Sequence, residues 1–353
     1  MKLIHFEAFS PICPLCKKRD GTESKLSLGT ISKERGTGDQ RDIIEGILLC
    51  SNSSCRREHP IIDGIPILIA DLRAWVTSQQ QNITRRSDLS ATTESLLGDC
   101  LGPSAPAEQG RQLLSSYCHD HYDAGDKGSS IGGLLQAALN ATPTLKGPCL
   151  DIGCSVGGTT FSLAESSGAL TLGLDLNFSF LRVASKILRD RTLTYPKRSS
   201  GLVYDYIEMQ VAPKAPHLVD FWACDALHLP FPDHSIGATT SLNLLDCLSD
   251  PRAHLVELSR ALTNAGTSIL ATPWDWSPQT PVEGWLGGHS QRWEGGGDSV
   301  QAIRSLLDPT DNPWAVTGLA LTAEINRHPW SLRLHSRARV EYEAWVGVLR
   351  AES

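Results

Sequence analysis

The string Cys149-Leu-Asp-Ile-Gly-Cys-Ser-Val-Gly-Gly-Thr-Thr160 constrains this chain more than any other stretch. An apolar strand ends at Asp151, a turn of small residues follows, and a helix begins near Gly157. Gly153 and Gly157 let the backbone approach a ligand closely, with no Cβ in the way. The helix start beyond them presents unpaired N–H groups. From about residue 111 onward, strand-like and helix-like segments alternate, which predicts a mostly parallel sheet with helices on both faces.

The pattern predicts helices ending near Tyr122 and Asn140, then strands ending at Ile152, Leu176, Cys224, Leu242 and Thr272. Further helices are expected from Phe178 and from Pro251. A polar insertion spans about 191–217, and a short terminal hairpin covers Trp330 to Leu349. Three zones follow: residues 1–75 with paired cysteines, a Ser/Thr/Gln/Gly/Pro-rich linker at 76–110 with one short helix, and the α/β domain at 111–353.

Acidic residues at successive strand ends sharpen the reading. Asp175 closes the second strand, where a carboxylate can accept both hydroxyls of a ribose, and Asp225 closes the third, where side chains meet an adenine. A dinucleotide-binding fold would need a second βαβαβ half, which the sequence does not display clearly. The order of these acids, followed by Ser241-Leu-Asn-Leu-Leu-Asp246, resembles the class I S-adenosylmethionine-dependent methyltransferases. That resemblance implies a Rossmann-like fold and S-adenosylmethionine as cofactor. It puts Asp151, Gly153, Cys154, Ser155 and Gly157 near the methionine portion, Asp175 and Leu176 near the ribose, Asp225 and Ala226 near the adenine, and Asn243 beside the transferable methyl. Ser155 stands where that family usually has a glycine.

Cys13-Pro-Leu-Cys16 and Cys50-Ser-Asn-Ser-Ser-Cys55 give two knuckles of soft ligands, C-x2-C and C-x4-C. This pattern suits a structural, tetrahedral zinc ion held by Cys13, Cys16, Cys50 and Cys55. The run from His59 to Ile69 after the second pair resembles the small zinc-ribbon family that activates tRNA and protein methyltransferases as a separate subunit. On that resemblance the ribbon is fused to an enzyme here, guiding substrate, offering a surface to a protein partner, or serving as structure alone.

Trp274, Trp276 and Trp285 with Asp275 follow the fifth strand, on the side where open α/β sheets bind ligands. Aromatic walls with a carboxylate suit a cationic or heteroaromatic group. The glycines at 284, 287, 288 and 295–297 predict a lid. Leu113 to Tyr122, the Asn243–Asp246 segment and Trp274 through Gly288 resemble the mercaptohistidine N-methyltransferase domain of ovothiol-synthesis enzymes, as does Arg327 to Trp345. That resemblance implies a small imidazole or amino-acid acceptor. Tyr117 and His121, four apart on one helix face, are expected to position it. Asp246 or Asp275 is expected to orient it or take its proton, with Asn243 beside the transferable methyl and Trp274 in the aromatic wall.

Of the net charge of −7, residues 1–75 contribute about +1 and the rest about −8, which disfavours a phosphate backbone as partner. One basic concentration, Arg182 to Arg198, reads as a solvated helix face and loop. No apolar stretch is long enough to span a membrane, and the cysteine usage fits a reducing compartment, so a cytoplasmic enzyme is expected. Two rivals remain open: a methyltransferase acting on RNA or protein presented by the ribbon, and a non-catalytic methyltransferase-like subunit.

Overall fold

The computed structural model describes residues 1–84, 89–142, 144–278, 280–292, 296–310 and 312–352, with the side chains of 39 and 91 set aside. Helices α1 (Leu3–Phe9) and α2 (Pro14–Asp20) open the chain. Pro14 begins α2, where a missing N–H costs nothing, and Gly21 ends it at φ 73°. An antiparallel meander follows: β1 (Leu26–Arg35), β2 (Asp42–Cys50), β3 (Glu58–Ile62) and β4 (Ile65–Leu68). Asp63 and Gly64 both take positive φ between β3 and β4, the geometry of a tight hairpin turn.

Helices α3 (Leu72–Ser78), α4 (Gln80–Thr84) and α5 (Ala91–Asp99) come next, where a linker with one short helix was expected. Helices α3 and α4 are tied down: the Trp75 indole donates to the Leu176 carbonyl, and Arg182 donates to the Asn82 and Ile83 carbonyls. Then come α6 (Pro106–Tyr122), α7 (Ile131–Asn140), β5 (Cys149–Ile152), α8 (Gly158–Ser167), β6 (Thr171–Asp175) and α9 (Phe178–Asp190).

The stretch read as a polar insertion folds instead into an antiparallel hairpin, β7 (Thr192–Ser200) and β8 (Val203–Gln210). It docks on α6. The Tyr204 hydroxyl donates to Glu108, the Arg111 guanidinium lies 4.0 Å over the Tyr204 ring, and the Arg198 amide donates to Ser115. The chain continues through β9 (Val219–Cys224), β10 (Ile236–Leu242), α10 (Pro251–Ala261) and β11 (Leu262–Thr272). Helix α11 (Ser299–Leu306) interrupts the Trp- and Gly-rich excursion, and the terminal hairpin of β12 (Leu319–His335) and β13 (Ala338–Ala351) is longer than expected.

Eleven strands form one sheet in the order β1-β2-β3-β4-β9-β6-β5-β10-β11-β13-β12. Strands β4 through β11 in that order run parallel, and β13 returns antiparallel to β11. Order reverses between β5 and β10, so a crevice opens at their carboxyl ends. The cysteine-bearing meander joins this sheet directly, because Ile67 pairs with Ala223 and Leu68 with Cys224. A single apolar cluster therefore runs from Cys13, Cys16 and Cys50 through Leu48 and Leu68 to Leu150 and Trp222. Phe9 of α1 packs against Trp222 and Phe231, with ring centroids 6.2 and 5.8 Å apart.

Candidate cofactor and acceptor site

Asp151 closes β5 but does not reach outward. It is 1% exposed, and its carboxylate accepts hydroxyl bonds from Thr159 and Thr160, both at 2.7 Å, and from Thr240 at 2.8 Å. Burial pushes its pKa up, and the three hydroxyls pull against that. Its oxygens thus tie the strand tip to α8 and β10 and fix the turn between them.

That turn takes positive φ at three points, Gly153 (φ 78°), Ser155 (φ 50°) and Gly157 (φ 86°), which the two glycines adopt freely. A Cβ on Gly157 would lie 2.6 Å from the Phe221 ring, so glycine is required for the turn to seat on β9. Ser155, where the family pattern has glycine, holds a left-handed conformation that costs a non-glycine residue ~1–3 kcal/mol. Its amide donates to Asp175 at 2.9 Å, while its hydroxyl is buried without a partner. Cys154 is fully buried beneath the turn.

Asp175 accepts from the amides of Ser155 and Asn177, which aim its carboxylate over the turn. Burial raises its pKa to about 6, against the pull of those amides. Leu176 beside it is exposed. Asp225 lies two residues past Ala223, the strand partner of Asp175. It accepts from the Leu227 amide and contacts His228 Nδ1 at 3.2 Å. Burial raises its pKa, but these bonds outweigh that and leave it low. The Ala226 carbonyl meets His254 Nδ1 at 3.0 Å, and His254 Nε2 meets the Ser241 hydroxyl at 2.9 Å. His254, fully buried, therefore braces two strand tips and was missed in the sequence. Its place on the inward stripe of α10 with Leu255 and Leu258 was the available signal.

Unpartnered polar atoms gather at the next two tips. Asn243 follows β10 at φ 52°, with both side-chain amide atoms buried and unbonded. Asp246 is 3% exposed. Its Oδ2 accepts the Asp275 amide at 2.9 Å, its Oδ1 has no partner, and burial raises its pKa to about 6. Trp274 sits at φ 58°, and its indole N–H and that of Trp276 are buried without acceptors. Trp274 and Trp276 lie 6.1 Å apart, and Trp276 stacks on Trp285 at 5.6 Å. Asp275 accepts from the Tyr342 hydroxyl at 2.8 Å, a link from the terminal hairpin with no counterpart in the sequence reading. Of the expected lid glycines, Gly288 packs under Trp276 so closely that a Cβ would fall 2.5 Å from its indole nitrogen, and Gly295 lies outside the described residues. Natural proteins rarely leave so many buried polar atoms unbonded in one place unless a ligand completes them.

Helix α6 closes the other side. The half-buried Tyr117 ring meets Phe180 edge-on at 5.4 Å, and desolvation, then the charges of Cys247, Asp175 and Asp246, push its pKa up. His121 Nδ1 accepts the Gly158 amide at 3.1 Å, which leaves its proton on Nε2, and burial lowers its pKa to about 4. The Tyr122 hydroxyl donates to the Val156 carbonyl. His121 and Tyr122 thus clamp the glycine turn, while His119 turns to another helix face, toward Asp123.

Within the meander, Cys13, Cys16, Cys50 and Cys55 bring their sulfurs within 4.8 Å of one another. Cys13 and Cys55 are 3.9 Å apart, Cys16 and Cys50 3.8 Å, and Asn52 Nδ2 points at the Cys16 sulfur. Four soft donors at the edge lengths of a small tetrahedron, three of them buried, fit a closed zinc site. All ten cysteines are free, and no helix of the described residues is long and apolar enough to cross a membrane.

Residues 150–270 match the family described as methyltransferase domain. The methyltransferase GfsG of Streptomyces halstedii is 28% identical over 174 residues, which cover 46% of this chain and 55% of that protein. The chain thus spans about half the length of that relative. Among solved structures, a SAM-dependent methyltransferase from Aquifex aeolicus is similar at 11% identity, over 71% of this chain and 99% of that one, with a TM-score of 0.41. A chain of the complex between the Haloferax volcanii Trm112 methyltransferase activator and a methyltransferase is similar at 17% identity, over 70% and 96%, with a TM-score of 0.40. Residues 150–270 therefore form a methyltransferase domain, built on the Rossmann-like sheet that the cysteine-bearing meander extends.

Proposed function

We propose that this protein transfers a methyl group from S-adenosylmethionine to a nitrogen of a small imidazole or amino-acid acceptor. The observation that carries the reading is the group of buried, unbonded polar atoms of Asn243, Asp246, Trp274 and Trp276 beside stacked indoles at the carboxyl ends of β10 and β11. Such a surface suits a compact ring or ammonium group. The basic residues of α9 and β7 point the same way. Arg182 and Arg189 pair with Asp63 and Asp42, and Lys197 pairs with Asp123, so these three cations carry local counter-charges and do not stand free for RNA.

When bound, S-adenosylmethionine supplies a methyl on a sulfonium that needs no further activation. The glycine turn and Ser155 would take its amino-acid end, Asp175 its ribose and the Asp225–Ala226 loop its adenine. Asn243 and Tyr117 would flank the reacting centre. Asp246, braced by the Asp275 amide, is placed to orient an acceptor nitrogen and take its proton, while the indoles exclude water. Alignment of this sort supplies up to ~7–11 kcal/mol of a barrier. Cys13, Cys16, Cys50 and Cys55 would hold zinc in a structural role, since four thiolates leave no open position.

Incubation of the full chain with radiolabelled S-adenosylmethionine and separate pools of histidine derivatives, amino acids, RNA and protein tests this. Label in the imidazole or amino-acid pool is the expected result. Label confined to RNA or protein would transfer the reading to a macromolecular acceptor presented by the ribbon.

A further inference from the structure

A second cavity, of about 850 Å³, opens away from the cofactor crevice, between the end of α6, β7 and the β12–β13 hairpin. None of the residues assigned above to cofactor or acceptor lines it. Four acids do, and each is satisfied locally. Asp120, 4% exposed, accepts from the Ile131 amide and the Trp330 indole. Asp123 accepts from the Tyr195 hydroxyl and Lys197, and Asp126 from the Gly128 amide and the Ser129 hydroxyl. Glu341 accepts from the Ser331 hydroxyl and pairs with Arg339.

Two guanidiniums are left without a counter-charge. Arg333 donates once, from Nη2 to the Arg198 carbonyl, and its Nη1 is buried with no acceptor. The Arg337 side chain is exposed and has no partner among the described residues. Both lie at the closed end of the β12–β13 hairpin and line the same cavity. Burial, then Lys197 and Arg333, lower the pKa of the neighbouring His119, while Asp123 acts in the opposite direction. An unbonded N–H of a charged group is costly to bury, and a planar fork of donors is the side chain best matched to an oxyanion.

We propose that this cavity is a second ligand site, in which Arg333 and Arg337 together hold the oxyanion group of a small molecule. The shared chemistry is a phosphoryl or carboxylate group. The site does not depend on the methyl-transfer reading, because its walls and charges are separate from the cofactor crevice.

Calorimetric titration of the full chain with pyrophosphate, and separately with citrate, at constant ionic strength tests it. Saturable one-site binding of at least one probe is expected, and the probe that binds identifies the group. Arg337→Gln removes a side chain with no internal contacts, so the fold is kept. It should weaken that binding at least tenfold, equal to ~1.4 kcal/mol. Arg333→Lys, which keeps charge but loses the fork, should weaken it as well, with S-adenosylhomocysteine affinity and melting temperature unchanged in both variants. No saturation by either probe at millimolar concentration, or equal affinity in Arg337→Gln, would overturn the proposal.

Discussion

Ser155, Asn243 and Trp274 share an unusual pair of properties: each takes a positive φ without being glycine, and each buries a side-chain polar atom with no partner. They stand at three separate tips of one sheet edge, so backbone strain and unmet hydrogen-bonding capacity coincide where the fold opens its crevice. Asp246 shares the second property, with Oδ1 buried and unpartnered. Its carboxyl, with a pKa near 6, is protonated below that pH and becomes a base above it. Methyl transfer that needs a proton removed should therefore rise as pH passes through about 6. Asp246→Asn should lower kcat by ~10²–10⁴-fold and remove that rise, with S-adenosylhomocysteine affinity kept, as a pH–rate profile would reveal. An unchanged profile would assign Asp246 to packing alone. Asp151 carries a different lesson. Its position at the strand end was legible in the sequence, but its saturation by Thr159, Thr160 and Thr240 was not, because Thr240 is distant in the chain.

Strand β4 explains why the meander and the α/β domain share one core. Its four residues are buried, paired on one side with β3 and on the other with β9, two residues before Asp225. If Cys13, Cys16, Cys50 and Cys55 bind zinc, the ion anchors this end of the sheet. Chelation, or Cys50→Ser, should then lower the melting temperature of the whole chain in one transition, with about one zinc released per chain by mass spectrometry. A separate low-temperature transition would mean that the meander folds alone. The parallel strands and their helices were legible because each is a compact apolar run with a clear stop, such as Asp175 or Asn177. Hairpin β7–β8 was not, because its buried face rests on only a few residues, Leu193, Tyr195 and Tyr204, among polar ones. Helix α11 was hidden likewise among glycines and tryptophans, and the docking of α3 and α4 depends on Trp75 and Arg182 meeting across about a hundred residues of chain.

Taken together, the molecule is one continuous sheet with zinc-ready cysteines at one end, a crevice at its middle and a long hairpin at the other end. The hairpin reaches both proposed ligand regions: Tyr342 bonds Asp275 beside the indole wall, and Arg333 and Arg337 line the outer cavity. Assignment of the crevice rests on adenosyl binding at Asp175, whose carboxyl is raised to about 6 and so must ionise to accept ribose hydroxyls fully. Calorimetric titration of the full chain with S-adenosylhomocysteine at pH 7.5 is the deciding measurement, made on wild type and on Asp175→Ala. One-site binding in the wild type is predicted, weakened in the variant by roughly 10–150-fold, the loss of a charged hydrogen bond worth ~1.5–3 kcal/mol. No binding by the wild type, or equal binding by Asp175→Ala, would contradict the assignment.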